Sequence, residues 1–165
     1  SERMYLAFHR NYGLNVRIAR FHNIFGPEGT WRGGKEKAPA AMCRKVAEVA
    51  HGGEIEIWGD GKQTRSFLYI DECLEGVRRL MNSDFTGPVN IGNPRELTIL
   101  EFARAIIQLT GSKSQITFQP LPVDDPKQRQ PDITLARRVL NNWEPQVSLE
   151  DGLRQTIAYF QDRVA

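Results

Sequence analysis

The chain has few cysteines, no long apolar run and almost no net charge. Its two cysteines, Cys43 and Cys73, stand far apart and outside any metal-ligand spacing, so a reduced, cytoplasmic protein is the expectation. No apolar run approaches the length needed to cross a bilayer, which argues against a membrane partner. Lys plus Arg total 22 and Asp plus Glu total 20, a formal net charge of +2. So small an excess gives no argument for nucleic acid, and no basic stripe or regularly spaced aromatic platform supplies one. It leaves room for a local anion site. Internal repeats and low-complexity tracts are also absent. With 40% hydrophobic and 25% charged residues, the composition excludes a wholly disordered or collagen-like chain.

What is present alternates helices with short strands. Met4, Tyr5 and Phe8 keep the spacing of a buried helical stripe, which Gly13 can end in a left-handed conformation. No capping residue or turn precedes this helix, so the expectation is a chain cut from something longer. Leu14, Val16 and Ile18 alternate with polar residues as a half-buried strand does. Asn23 to Lys37 reads as a long loop, and Pro39 to Ala50 as a helix with Met42, Val46 and Val49 on one face. Ile55 and Ile57 predict a strand, Trp58-Gly-Asp-Gly a turn, and Ser66 to Ile70 an extended segment. Asp71 is expected to cap a helix with Leu74, Val77 and Met81 toward the core. Val89-Asn-Ile reads as a strand. Thr98-Ile-Leu-Glu101 is a capping box, opening a helix to about Gly111 that buries Phe102, Ile106 and Leu109. Ile116 and Phe118 suggest a strand, residues 119–131 a second long loop, and the residues after Asp132 a short helix. Ser148 caps a last helix with Leu149, Leu153, Ile157 and Phe160 inward. The pattern is α/β.

The densest chemistry lies in the first long loop and the helix after it, where Arg32, Lys35, Lys37, Arg44 and Lys45 cluster. Such a set either holds a diphosphate, helped by free backbone N–H groups, or forms a solvated basic face. Lys37 becomes a proton-transfer group only if desolvation or neighbouring cations lower its pKa; otherwise it is a surface lysine. Arg65 and Arg129 come from separate loops, and two guanidinium groups can clamp one diphosphate. The plainer alternatives are ion pairs with Asp71 and Asp132. Trp58 either stacks on a ring or fills core, and His22 reads as a structural histidine. Asp124-Asp125 lacks a third ligand, so no metal site is expected. Cys43 falls on or near the polar side of its helix with no base in view, and Cys73 reads as a small core residue.

Arg20-Phe-His-Asn-Ile-Phe-Gly-Pro27, Trp58-Gly-Asp-Gly-Lys-Gln-Thr-Arg-Ser-Phe67, Tyr69-Ile-Asp-Glu72, Val89-Asn-Ile-Gly92 and Arg129-Gln-Pro-Asp132 together carry a resemblance. The chain resembles the C-terminal half of the extended short-chain dehydrogenase/reductase family that modifies nucleotide sugars. Residues 29–41 resemble the branch of GDP-mannose 3,5-epimerases, whereas the tail from Leu121 to Phe160, particularly Asp124 to Ile133, is more similar to UDP-glucuronate decarboxylases.

The resemblance implies a Rossmann-type fold, with residues 1–27 closing the dinucleotide-binding half and 28–165 forming the substrate-binding portion. Within that portion, about 55–92 would return to the Rossmann half. It implies NAD as cofactor, oxidation of the sugar at C4, and proton exchange at C3 and C5 before the ketone is reduced again. Lys37 matches the proton-donating lysine. Asn23, Glu36, Ala38, Lys45, Glu56 and Trp58 match substrate contacts, Arg65 and Arg129 the diphosphate arginines, and Phe21 and His22 the edge of the cofactor site. A homodimer is implied for the complete enzyme. The dinucleotide Gly-x-x-Gly-x-x-Gly loop and the Tyr-x-x-x-Lys pair do not occur here. The expectation is therefore a fragment that grips the sugar nucleotide, needs an N-terminal dinucleotide-binding half for NAD, and does not complete the reaction alone.

Overall fold

The computed structural model describes residues 1–30, 41, 43, 52–120 and 128–164. In chain order they form α1 (Glu2–Tyr12), β1 (Ile18–Phe21), β2 (Ile24–Phe25), β3 (Glu54–Trp58), β4 (Thr64–Ser66), β5 (Leu68–Tyr69) and α2 (Ile70–Met81). There follow β6 (Pro88–Ile91), β7 (Glu96–Thr98), α3 (Ile99–Thr110), β8 (Gln115–Gln119), β9 (Gln128–Arg129), α4 (Thr134–Val139) and α5 (Leu149–Val164). Strands β1 and β6, β2 and β5, and β3 and β8 pair in parallel. Strand β4 lies between β7, antiparallel to it, and β9, parallel to it. Parallel neighbours need long crossovers, which the helices and loops between them supply.

Local rules account for several elements. β3 alternates exposed glutamates with buried Ile55 and Ile57, the period of a strand with one face on the core. In α3 the Thr98 hydroxyl accepts from the Glu101 amide, the Glu101 carboxylate accepts from the Thr98 amide, and Gly111 closes the helix at φ 63°. Gly13 ends α1 likewise at φ 68°.

The apolar side chains gather in two clusters. One joins Phe25, Ile55, Ile57, Phe67, Tyr69, Phe102, Ile106, Leu153, Ile157 and Phe160, with the Phe67 and Phe102 rings 4.5 Å apart. The other joins Leu68, Cys73, Leu80, Val89, Ile91, Ile133, Ala136, Leu140 and Trp143. Successive residues of a strand face opposite ways, so Phe67 and Tyr69 enter the first cluster and Leu68 the second. The β4–β5 segment is thus the seam between the two cores.

Several expectations are corrected. Helix α1 forms, but it buries none of its residues; Met4, Tyr5 and Phe8 are exposed. Apolar spacing marks a face and does not provide its cover. The β1 strand begins at Ile18, and Leu14 is exposed before it. In α2 the core face is Cys73, Gly76 and Leu80, with Val77 half-buried, while Leu74 and Met81 are exposed. The reason is Gly76: a Cβ there would stand 3.1 Å from two carbons of the Trp143 indole. The face that approaches most closely is therefore the one with no side chain to announce it. Tyr69, not Asp71, occupies the N-cap, and no side chain caps this helix. The two long loops each contain a short strand, β2 and β9, and β7 precedes the capping box. The expected helix at 39–50 lies outside the described residues except for Ala41 and Cys43, both helical. Cys43 is fully buried in the first cluster rather than on a polar side.

Candidate functional site

The three-stranded sheet β7-β4-β9 brings together two residues that the sequence places 64 positions apart. Thr64 pairs with Gln128 and Arg65 with Arg129, in parallel register. Paired residues on neighbouring strands lie about 4.8 Å apart with side chains on one face. Arg65 is only 9% exposed, and its Nη1 donates to the Thr64 carbonyl at 2.7 Å; Arg129 beside it is exposed. Like charges facing each other across strands are unfavourable. Two guanidinium groups on one sheet face can each make a charge-assisted contact to an anion that reaches both.

The segment that carries Arg129 is tied down on each side. Gln128 Nε2 donates to Glu96 Oε2 at 2.8 Å, and Gln130 Nε2 to the Pro94 carbonyl at 2.8 Å. Asn90 Nδ2 donates to the Asp132 carbonyl at 2.9 Å. Hydrogen bonds from Thr134, with the Arg137 charge nearby, hold the Asp132 carboxyl below the usual range. Pro131 lies directly on Gly92, where an added Cβ would stand 2.7 Å from its Cγ.

A second group sits at the carboxyl end of β1. Phe21 is exposed, and His22 is half-buried with its amide donating to the Ile91 carbonyl at 3.2 Å. Asn23 adopts φ 43°, a left-handed conformation that asparagine tolerates better than most residues. Its Nδ2 donates to the Ser66 carbonyl at 3.0 Å, and its own carbonyl accepts from the Leu68 amide at 3.1 Å. Asn93 Nδ2 donates to the Phe67 carbonyl at 3.1 Å. Two asparagines therefore anchor the seam just after Arg65.

Glu56 and Trp58 lie on the outward side of β3. Gln119 Nε2 donates to Glu56 Oε1 at 3.4 Å. Trp58 is 55% exposed and so is not core, and its backbone carbonyl accepts from Gln63 Nε2 at 2.5 Å. The Gly59-Asp-Gly61 turn joins this strand end to β4, with both glycines at positive φ. Lys37, Glu36, Ala38 and Lys45 lie outside the described residues, as do Arg32, Lys35, Arg44 and Asp124-Asp125. Among the described residues no three metal-ligating side chains converge, and no helix is long and apolar enough to cross a membrane.

Burial pushes the Cys43 thiol up to about 12 and raises that of Cys73, so neither is a ready nucleophile. Sequence reasoning missed Thr64, Glu96 and Gln128, which link the three strands, and Asn93, which anchors the seam. Their only signal is nearness to the motif residues, because common polar side chains mark no chemistry until a fold brings them together.

The residues present offer a dinucleotide an edge rather than a cradle. Ligands of parallel sheets bind outside the carboxyl ends of the strands, and Phe21 and His22 occupy that place on β1. No glycine-rich turn running from a strand into a helix accompanies them among the described residues.

Residues 1–92 match the NAD dependent epimerase/dehydratase family. The chain is 44% identical over 155 residues to GDP-mannose 3,5-epimerase 1 of Oryza sativa, covering 94% of this chain and 40% of the relative. It is 40% identical over 161 residues to UDP-glucuronic acid decarboxylase 1 of Xenopus tropicalis, covering 98% of this chain and 37% of the relative. Among solved structures it superposes with a TM-score of 0.92 on a UDP-glucose 4-epimerase with UDP-glucose from Thermotoga maritima, at 28% identity, covering 99% of this chain and 52% of that one. A UDP-glucuronic acid 4-epimerase from Bacillus cereus in complex with UDP-glucuronic acid and NAD gives a TM-score of 0.84 at 27% identity, covering 98% of this chain and 50% of that one. The chain thus spans about two fifths of the length of the curated relatives it matches. Its parallel α/β pairing agrees with these Rossmann-type neighbours, and the match over residues 1–92 establishes that the chain belongs to the NAD dependent epimerase/dehydratase family.

Proposed function

We propose that this chain grips the diphosphate and sugar of a nucleotide sugar within an NAD-dependent epimerase, with GDP-mannose and 3,5-epimerisation as the preferred substrate and reaction. The observation that carries the reading is the in-register pairing of Arg65 with Arg129. Two adjacent guanidinium groups on one sheet face suit two adjacent phosphates, and they supply binding energy remote from the reacting carbons. Asn23, Glu56 and Trp58 contact the nucleotide sugar in this reading, joined by Glu36, Ala38 and Lys45. Lys37 is the general acid that returns a proton to the sugar ring. Residues 1–27 close the dinucleotide-binding half, and 28–165 form the substrate portion with about 55–92 returning; the shared burial of Leu68, Val89 and Ile91 supports that return.

Bound NAD would supply the hydride acceptor that makes C4 a ketone and so acidifies the protons at C3 and C5. Phe21 and His22 border it in this reading, and an N-terminal dinucleotide-binding half provides the rest of its site. The complete enzyme works as a homodimer in the reduced cytoplasm.

A UDP-glucuronate-type substrate is the second reading. It is favoured by the tail from Leu121 to Phe160, particularly Asp124 to Ile133, and by 40% identity to a UDP-glucuronic acid decarboxylase over 98% of the chain.

Calorimetric titration with GDP-mannose, UDP-glucuronate and NAD tests these readings. Tighter binding of GDP-mannose supports the first and tighter binding of UDP-glucuronate the second; binding that never leads to turnover, even with the dinucleotide-binding half present, indicates a non-catalytic binding module. Arg65→Ala and Arg129→Ala should each weaken the preferred sugar nucleotide roughly ten- to hundredfold, the worth of a charge-assisted hydrogen bond. Affinity unchanged in either variant refutes the diphosphate clamp.

A further inference from the structure

We propose that Glu96 is a positioning residue that sets Arg129 in register beside Arg65 and so builds the diphosphate clamp; the inference rests on the reading above. Glu96 lies on β7, an outer strand of the β7-β4-β9 sheet, and Arg129 on the opposite outer strand. Glu96 is half-buried, and its carboxylate spans all three strands. Oε1 accepts from the Thr64 hydroxyl of β4 at 2.7 Å, and Oε2 accepts from Gln128 Nε2 of β9 at 2.8 Å.

The register itself gives this contact its consequence. Glu96 pairs with Ser66, and Thr64 with Gln128, so alternation places Thr64, Ser66, Glu96 and Gln128 on one face of the sheet. Arg65, Leu97 and Arg129 then share the other. Among the described residues strand β9 spans Gln128–Arg129, and a ladder of two pairs holds register weakly. A slip of one residue would carry Arg129 to the Glu96 face and away from Arg65. The Glu96–Gln128 bond is made by the residue immediately before Arg129 and opposes that slip directly. The ties from Gln130 and Asp132 act only after Arg129.

A carboxylate suits this position because it accepts twice and donates nothing, whereas both neighbours can donate. An amide at position 96 keeps only one acceptor oxygen for these two donors and removes the charge that strengthens both bonds.

The test reverses the polarity of the bond. Glu96→Gln and Gln128→Glu, made separately, should each weaken GDP-mannose binding roughly three- to tenfold by calorimetry. The Glu96→Gln/Gln128→Glu double variant, which restores a donor opposite an acceptor at unchanged net charge, should return affinity to within about twofold of the original. In an Arg129→Ala background Glu96→Gln should change nothing, because its effect passes through Arg129. A residue that merely stabilised the fold would lower affinity there as well. Full affinity in the single variants, no rescue in the double variant, or an added loss in the Arg129→Ala background each overturns the inference. An Arg129→Ala variant that binds as tightly as the original protein, or an original protein that binds neither GDP-mannose nor UDP-glucuronate, instead overturns the diphosphate reading, and this inference with it.

Discussion

Replacing Gly92 by alanine would couple the packing of β6 to the Arg129 segment. The added Cβ would stand 2.7 Å from Pro131 Cγ, 2.9 Å from His22 Cβ and 3.1 Å from Pro131 Cβ. None of these atoms belongs to a side-chain tip that can swing away. One set is a pyrrolidine ring fused to its backbone, and the other is the first carbon of a residue whose amide is bonded to Ile91. The strain must therefore be relieved by moving the backbone of 128–132 away from the end of β6. Overpacking of this kind costs about 1–3 kcal/mol. For a chain of this size, each kcal/mol shifts the thermal midpoint by roughly 2–4 °C, so a fall of about 2–12 °C is expected. Arg129 is two residues from Pro131, so sugar-nucleotide affinity should fall at temperatures where the variant is fully folded. Differential scanning calorimetry and isothermal titration with GDP-mannose provide the two readouts. A midpoint within about a degree of the original, with unchanged affinity, would show that the segment is not seated as described.

Two further outcomes follow from the titratable groups. Hydrogen bonds from Arg78 and then Arg79 hold the Glu75 carboxyl down at about 2, from an ordinary 4.5. A depressed folded value means that its stabilising effect is fully present above pH 4.5 and disappears as pH falls toward 2. Glu75→Gln should accordingly flatten the loss of thermal stability over that window while leaving the neutral-pH slope alone; identical acid profiles for the two proteins would contradict this. Burial raises both free thiols, so native protein at pH 8 should release almost no chromophore from a disulfide reagent, and two equivalents after denaturation. Rapid labelling of native Cys43 would refute its placement in the core.

Rules that span a few residues were legible in the sequence, because their physics is local. The Thr98–Glu101 box, the left-handed Gly13, the helix end at Gly111 and the alternation of Ile55 and Ile57 each involve a single turn or strand. The family motifs around Trp58 to Phe67 and Arg129 to Asp132 were equally plain, so the candidate arginines could be named from the sequence.

Their relationship could not be read there. Nothing near Arg65 states that Arg129 is its register partner, because that pairing is made with a strand segment far along the chain. Runs of two or three strand residues are too short to show a period, which is why the sequence predicts no strand at β2, β7 or β9. The core face of α2 was misjudged because Gly76 contributes closeness rather than hydrophobicity, and Cys43 because its cover comes from other elements. Sequence alone determined the elements that one turn or one alternating run specifies, and it named the candidate side chains. Tertiary structure decided which of those side chains meet, because contact between distant residues is set by packing and strand register, which no local pattern encodes.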